Sequence, residues 1–174
     1  MTGSPLLNAF HQSNAALLTY TVGGDPNKET SLEIFREIAQ SGADIIECGL
    51  GHGANIGDGG AIQDGTYRAL SNGIKTDDVF DIIKTLRDEF DTNVIIMTYQ
   101  NKIMSYGEDS FLSKCVESKV AGIICVDWPW PLNLNFAAKC KNNNIDFIQL
   151  LCPTTNEERL KLILNDAHDV VYYI

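Results

Sequence analysis

Six short runs of nearly continuous apolar residues recur along the chain: Ala15–Val22, Asp44–Cys48, Val94–Met97, Gly122–Val126, Phe147–Leu151 and Val170–Ile174. Apolar character without alternation over such lengths suits parallel strands buried on both faces. Between the runs the pattern changes to helical spacing. Residues 31–40 are amphipathic behind Thr30 or Ser31 as N-cap, and residues 76–87 open with a cap and an acidic first turn. Weaker helical patterns fit at 61–72, 109–118, 132–142 and 156–165. The alternation predicts an α/β protein with a parallel sheet, either open and doubly wound or closed as a barrel, and periodicity does not choose between the two.

The spacing is even except after the second run, where roughly twice the usual length precedes the third. The surplus is the glycine-rich stretch Gly49–Gly60 and the helical pattern at 61–72. In parallel α/β folds, sites are built at the C-terminal ends of strands, and long loops there are usually functional. Gly49, Gly51 and Ala54 formally satisfy a dinucleotide fingerprint, but Asn55-Ile56-Gly57-Asp58 cannot open the helix that a pyrophosphate needs. Glu47 is more informative. It interrupts an apolar strand, where a carboxylate is costly unless it is paired with a backbone N–H or a lysine, or put to use. Asp58 alone is an ordinary Asp-Gly turn residue. Together they put one carboxylate on a strand end and another on the loop above it, and two carboxylates in different environments can divide acid and base roles.

The remaining candidates are plainer. His52 has no Cys, His or acid at ligand spacing and reads as a solvated loop histidine; no metal site is expected. Tyr20 lies in the first strand, while Tyr99 and Tyr173 lie at or just beyond strand ends, positions that amphipathic core edges also occupy. Asp127 precedes Trp128-Pro129 and could cap a turn or touch a ligand.

Composition narrows the function. Of 174 residues, 44% are hydrophobic and 21% charged, the profile of one globular domain over 1–174. A formal net charge of -10, spread along the chain, argues against nucleic acid or an anionic membrane as partner. No run approaches the ~20 apolar residues that span a bilayer, and the N-terminus lacks a basic region followed by an apolar one, so a cytoplasmic location is expected. Cys48, Cys115, Cys125, Cys140 and Cys152 form no C-x-x-C pair and read as buried thiols in a reducing compartment.

With these landmarks in order, the sequence resembles the α subunit of tryptophan synthase from about residue 10 to the last. Tyr20-Thr21-Val22-Gly23-Gly24-Asp25-Pro26 is similar to the first-strand motif, and Ser41–Gly49 to the second strand with its catalytic glutamate. Gly57-Asp58-Gly59, Ile62-Gln63 and Arg68-Ala69-Leu70 resemble the aspartate loop and the helix behind it. Met97-Thr98-Tyr99-Gln100-Asn101, Val126-Asp127-Trp128-Pro129 and Cys152-Pro153 resemble the ends of the third, fourth and fifth strands. The eleven positions from Glu47 to Asp58 match the family spacing.

The resemblance implies a (β/α)8 TIM barrel that cleaves indole-3-glycerol phosphate to indole and glyceraldehyde 3-phosphate in tryptophan biosynthesis. It implies Glu47 as acid/base for indole C3 and the carbinol hydroxyl, and Asp58 as acceptor of the indole N–H. Tyr173 would position the substrate beside Glu47, and Tyr20, Tyr99 and Asp127 would line the indole pocket. No cofactor is implied for this chain; pyridoxal phosphate belongs to the β-subunit partner of an α2β2 assembly. The loop departs from the family, carrying Gly51-His52-Gly53-Ala54-Asn55 where Pro-Phe-Ser-Asp-Pro is usual, and Gly59-Gly60 for Gly-Pro. Such exchanges raise the cost of ordering Asp58. A complete barrel usually needs about 250 residues, so 174 cover about strands 1 to 6, without the family's phosphate-holding strands 7 and 8. Three readings follow: an α-type lyase belonging to a longer chain, an impaired remnant that docks on a β subunit, or another phosphate-binding barrel enzyme. A six-stranded piece on its own is expected to be unstable or to associate.

Overall fold

The computed structural model describes residues 4–11 and 15–174, with His11 described by its backbone. Its strands are β1 (Leu18–Val22), β2 (Ile45–Gly49), β3 (Asn93–Thr98), β4 (Gly122–Cys125), β5 (Asp146–Phe147), β6 (Gln149–Leu151) and β7 (Val171–Tyr173). The helices are α1 (Pro5–His11), α2 (Lys28–Gln40), α3 (Gly60–Ser71), α4 (Thr76–Glu89), α5 (Gln100–Tyr106), α6 (Glu108–Glu117), α7 (Leu134–Asn142) and α8 (Glu157–Asp166). Every strand pairing is parallel, in the order β1-β2-β3-β4-β5 and then β6-β7. β5 and β6 are one apolar run broken at Ile148, whose N–H still donates to Ile123 O at 2.9 Å. Six barrel strands therefore follow in sequence order, as the hydrophobic runs predict.

Alternation along the strands separates two cores. Ile46, Cys48, Val94, Ile96, Ile123 and Cys125 face the helices and pack with Phe35, Phe80, Phe111 and Phe136. Ile45, Ile95, Ile124 and Ile148 face the other way, into the barrel interior, with Leu18, Met97, Val126, Leu150 and Tyr172 packed beside them. Each fully buried large side chain contributes about 1.5–3 kcal/mol. α1, which has no strong periodicity in the sequence, places Leu6 and Ala9 in the interior cluster. Gly122 makes room for it, since a Cβ there would lie 3.0 Å from Leu6. The β1 and β7 outer edges have no partner strand among the described residues, and between them lies an apolar cavity of about 200 Å³ lined by Leu6, Leu18, Ile45, Ile95, Ile148 and Tyr172 among others.

Besides the unexpected α1, local structure differs from the sequence reading at three points. The N-cap of α2 is Asn27, which accepts the Thr30 N–H at 2.9 Å, and not Thr30 or Ser31. Ser31 is buried, and its hydroxyl accepts the Gly24 N–H at 2.9 Å, tying α2 to the loop after β1. α4 is capped by Asp78, whose carboxylate accepts the Lys75 N–H at 2.9 Å. A short helix, α5, follows β3 where no element was expected.

Candidate active site

The site begins with strand parity. Ile45 and Gly49 bracket Glu47 on the inward face of β2, so Glu47 enters the C-terminal half of the barrel interior beside Tyr20 and Ile95, its register partners on β1 and β3. Glu47 is only 5% exposed. Loss of solvent pushes its carboxyl up to about 7 from 4.5, and the charge of Asp58 adds to the shift. A carboxyl near neutrality can both give and take a proton at working pH. Gly49, two residues on, is required by contact: a Cβ there would fall on the Tyr20 hydroxyl. Tyr20 is itself raised, chiefly by burial and then by Asp58.

Above the barrel mouth runs the loop from Leu50 to Gly59. Leu50 N–H donates to Met97 O at 2.9 Å, which anchors the start, and the Gln63 amide holds Asp58 O at 2.8 Å at the other end. α3 is in turn tied to the loop after β1. Arg68 makes a two-pronged ion pair with Asp25, at 2.9 and 2.7 Å, so the Gly-Asp-Pro segment and the Arg-Ala-Leu segment meet in space. Gly65 allows the approach, because a Cβ would stand 3.0 Å from Asp25.

Tyr99 stands at the C-terminal end of β3, 3% exposed, and its hydroxyl accepts the Gly57 N–H at 3.1 Å. Burial raises its hydroxyl, with Asp58 and Asp127 adding to the shift. Asp127 accepts the Gln100 N–H at 2.6 Å and thereby fixes the turn that carries Tyr99. Its carboxylate serves as a cap for α5, the first of the two roles its sequence position allowed. His52 is half-buried and stacks on Tyr99, centroids 5.2 Å apart and planes at 29°, so it is not the solvated histidine that spacing suggested.

The structure brings Glu47, Asp58, Tyr20 and Tyr99 to one end of the barrel, with Asp127 behind Tyr99, but it does not bring Tyr173 there. Tyr173 is 68% exposed, whereas Tyr172 packs on the interior cluster and is raised by burial and by the charge of Glu47. Leu150 and Tyr172 are register partners, and Leu150 faces inward, which settles the parity. The sequence carries no sign of this, because five consecutive apolar or aromatic residues have no period of two to read. Among the described residues no group of three or more His, Cys, Asp or Glu could hold a metal ion.

Parallel strands curving around their own apolar interior, helices outside and carboxyl groups at the C-terminal mouth define a TIM-type α/β barrel protein, here through six of its strands. The chain belongs to the tryptophan synthase alpha chain family, whose model matches residues 6–174. It is 50% identical over 164 residues to the tryptophan synthase alpha chain of Pelagibacter ubique, covering 94% of this chain and 62% of that one. It is 36% identical over 168 residues to that of Petrotoga mobilis, covering 97% and 65%. Among solved structures, a chain of the tryptophan synthase complex from Pyrococcus furiosus superposes with a TM-score of 0.85 at 35% identity, over 91% of this chain and 66% of that one. The chain thus spans less than two thirds of the curated relatives it matches.

Proposed function

We propose that the protein is an α-type carbon–carbon lyase that cleaves indole-3-glycerol phosphate to indole and glyceraldehyde 3-phosphate, with Glu47 and Asp58 as its catalytic residues. The observation that carries this reading is the buried carboxyl of Glu47, held near pH 7 inside the barrel and faced by the Asp58 loop. Glu47 donates its proton to indole C3, which places positive charge on the ring nitrogen; Asp58 accepts the indole N–H and stabilises that charge. The Glu47 carboxylate then takes the carbinol proton as the C–C bond breaks, its electrons returning to the ring, and the acid is restored for the next turnover. Tyr20, Tyr99 and Tyr172 supply the aromatic walls. Tyr172, and not Tyr173, stands beside Glu47, and Asp127 acts through the Tyr99 turn.

The chemistry asks for no cofactor in this chain. A pyridoxal-phosphate β subunit is the proposed partner and acceptor of indole in an α2β2 assembly, supported by the complex from which the Pyrococcus furiosus relative comes. One domain over 1–174 and a cytoplasmic location complete the reading; Cys48, Cys115, Cys125 and Cys140 are free and buried, which accords with a reducing compartment, whereas Cys152 is only half-buried, unlike the fully buried thiol expected of it. The test is indole release from indole-3-glycerol phosphate, with and without a β subunit. Glu47→Gln and Asp58→Asn should each lower it by about 10²–10⁴-fold, and Tyr172→Phe should reduce it while Tyr173→Phe leaves it unchanged. Turnover that survives Glu47→Gln intact would sink the assignment.

A further inference from the structure

The Asp58 loop needs an explanation for its order. Residues 50–59 form neither helix nor strand and include Gly51, Gly53, Gly57 and Gly59, so the backbone gives up much conformational freedom in holding one shape. Two contacts converge in its middle. The Ala54 N–H donates to His52 Nδ1 at 2.9 Å, closing a tight local turn, and the same imidazole lies on the Tyr99 ring. Three residues further on, the Gly57 N–H reaches the Tyr99 hydroxyl, and the next amide, that of Asp58, donates to Asn55 O at 3.1 Å. Gly57 fits closely there: a Cβ would stand 3.0 Å from Val126 and 3.2 Å from the Tyr99 hydroxyl. Tyr99 thus takes the loop on two sides, by its ring face and by its oxygen, and its own turn is fixed through Gln100 and Asp127.

We propose that His52 is a positioning residue that, clamped on Tyr99 as a neutral imidazole, holds the loop so that Asp58 stays over the barrel mouth. The roles divide within one side chain. The ring face supplies the stack, and unprotonated Nδ1 supplies the acceptor, which puts the ring proton on Nε2. A phenyl ring can do the first and not the second. The catalytic meaning of the clamp rests on Asp58 being the residue that meets the indole N–H; the clamp itself is a matter of loop geometry and is read separately.

The experiment is nitrogen-15 NMR with backbone amide exchange on the 174-residue chain, for the parent and His52→Phe, His52→Ala and Tyr99→Phe. In the parent, His52 should show the Nε2–H tautomer, with the Ala54, Gly57 and Asp58 amides protected. Loss of a single acceptor should speed exchange about tenfold. His52→Phe should release Ala54 alone, Tyr99→Phe should release Gly57, and His52→Ala should release all three. Core amides such as that of Ile96 report that each variant is folded. An Nδ1–H tautomer, an unprotected Ala54 in the parent, or a His52→Ala variant with Gly57 and Asp58 still protected would overturn the proposal. Protection that behaves as stated while Asp58→Asn leaves indole release untouched would refute the lyase reading and leave the clamp standing.

Discussion

The burial of Glu47 that suits it to the proposed proton transfers acts against stability. The native state holds its proton up to about pH 7, whereas a solvated carboxyl releases it near 4.5. Between those values the folded chain binds more protons than the unfolded one, so the free energy of unfolding falls as pH rises through this window and stays reduced above it. The shift is worth on the order of 3 kcal/mol. Glu47→Gln has nearly the same shape and never ionises. It should match the parent below about pH 4.5 and exceed it by on the order of 3 kcal/mol above pH 7. Urea unfolding of both proteins at about pH 5 and pH 8 reads the difference. Parallel pH dependence in parent and variant would show that Glu47 is not strained by burial.

At the scale of elements, α5 depends on a neighbour for its start. It is a seven-residue helix whose N-cap, Tyr99, makes no side-chain cap bond; the Gln100 N–H goes instead to Asp127, 27 residues along the chain. Asp127→Ala should cost about 1 kcal/mol and lower Tm by about 3 °C, with Asp127→Asn closer to the parent because an acceptor remains. Unchanged melting of Asp127→Ala would show that the cap bond adds nothing. The same dependence explains why α5 escaped the sequence: Gln100–Tyr106 is too short for a persuasive apolar period and its cap is non-local. Asn27, Thr30 and Ser31 are all good caps, so local sequence does not choose among them; packing does, by sending Ser31 to Gly24. The six strands were legible since burial on both faces writes itself as an unbroken apolar run. Glu47 was legible as the charge that breaks one. That same continuity hid which of Tyr172 and Tyr173 turns inward, and no local pattern could reveal that His52 and Gly57 meet on Tyr99.

At the scale of the 174-residue chain, the two outer strand edges govern association. Leu17, just before β1, is 53% exposed, and Tyr173 and Ile174, at the end of β7, are 68% and 64% exposed; the outer edges of β1 and β7 have no partner strand among the described residues and flank the apolar cavity. Exposed strand edges beside apolar surface favour pairing with another chain. The net charge of -10 opposes this by mutual repulsion, which acts over about 10 Å at 0.1 M salt and about 3 Å at 1 M. Association of the 174-residue chain should therefore grow with both protein concentration and salt. Size exclusion should show species larger than 19.2 kDa that increase from low to high ionic strength. Leu17→Lys places a charge on the β1 edge without touching the inward-facing residues, and it should shift the population back toward the monomer. A single 19.2 kDa species at every concentration and salt would mean that the edges are satisfied within one chain. Association that weakens with salt would place its origin in charge pairing, because apolar contact between strand edges strengthens as the repulsion between two acidic chains is screened.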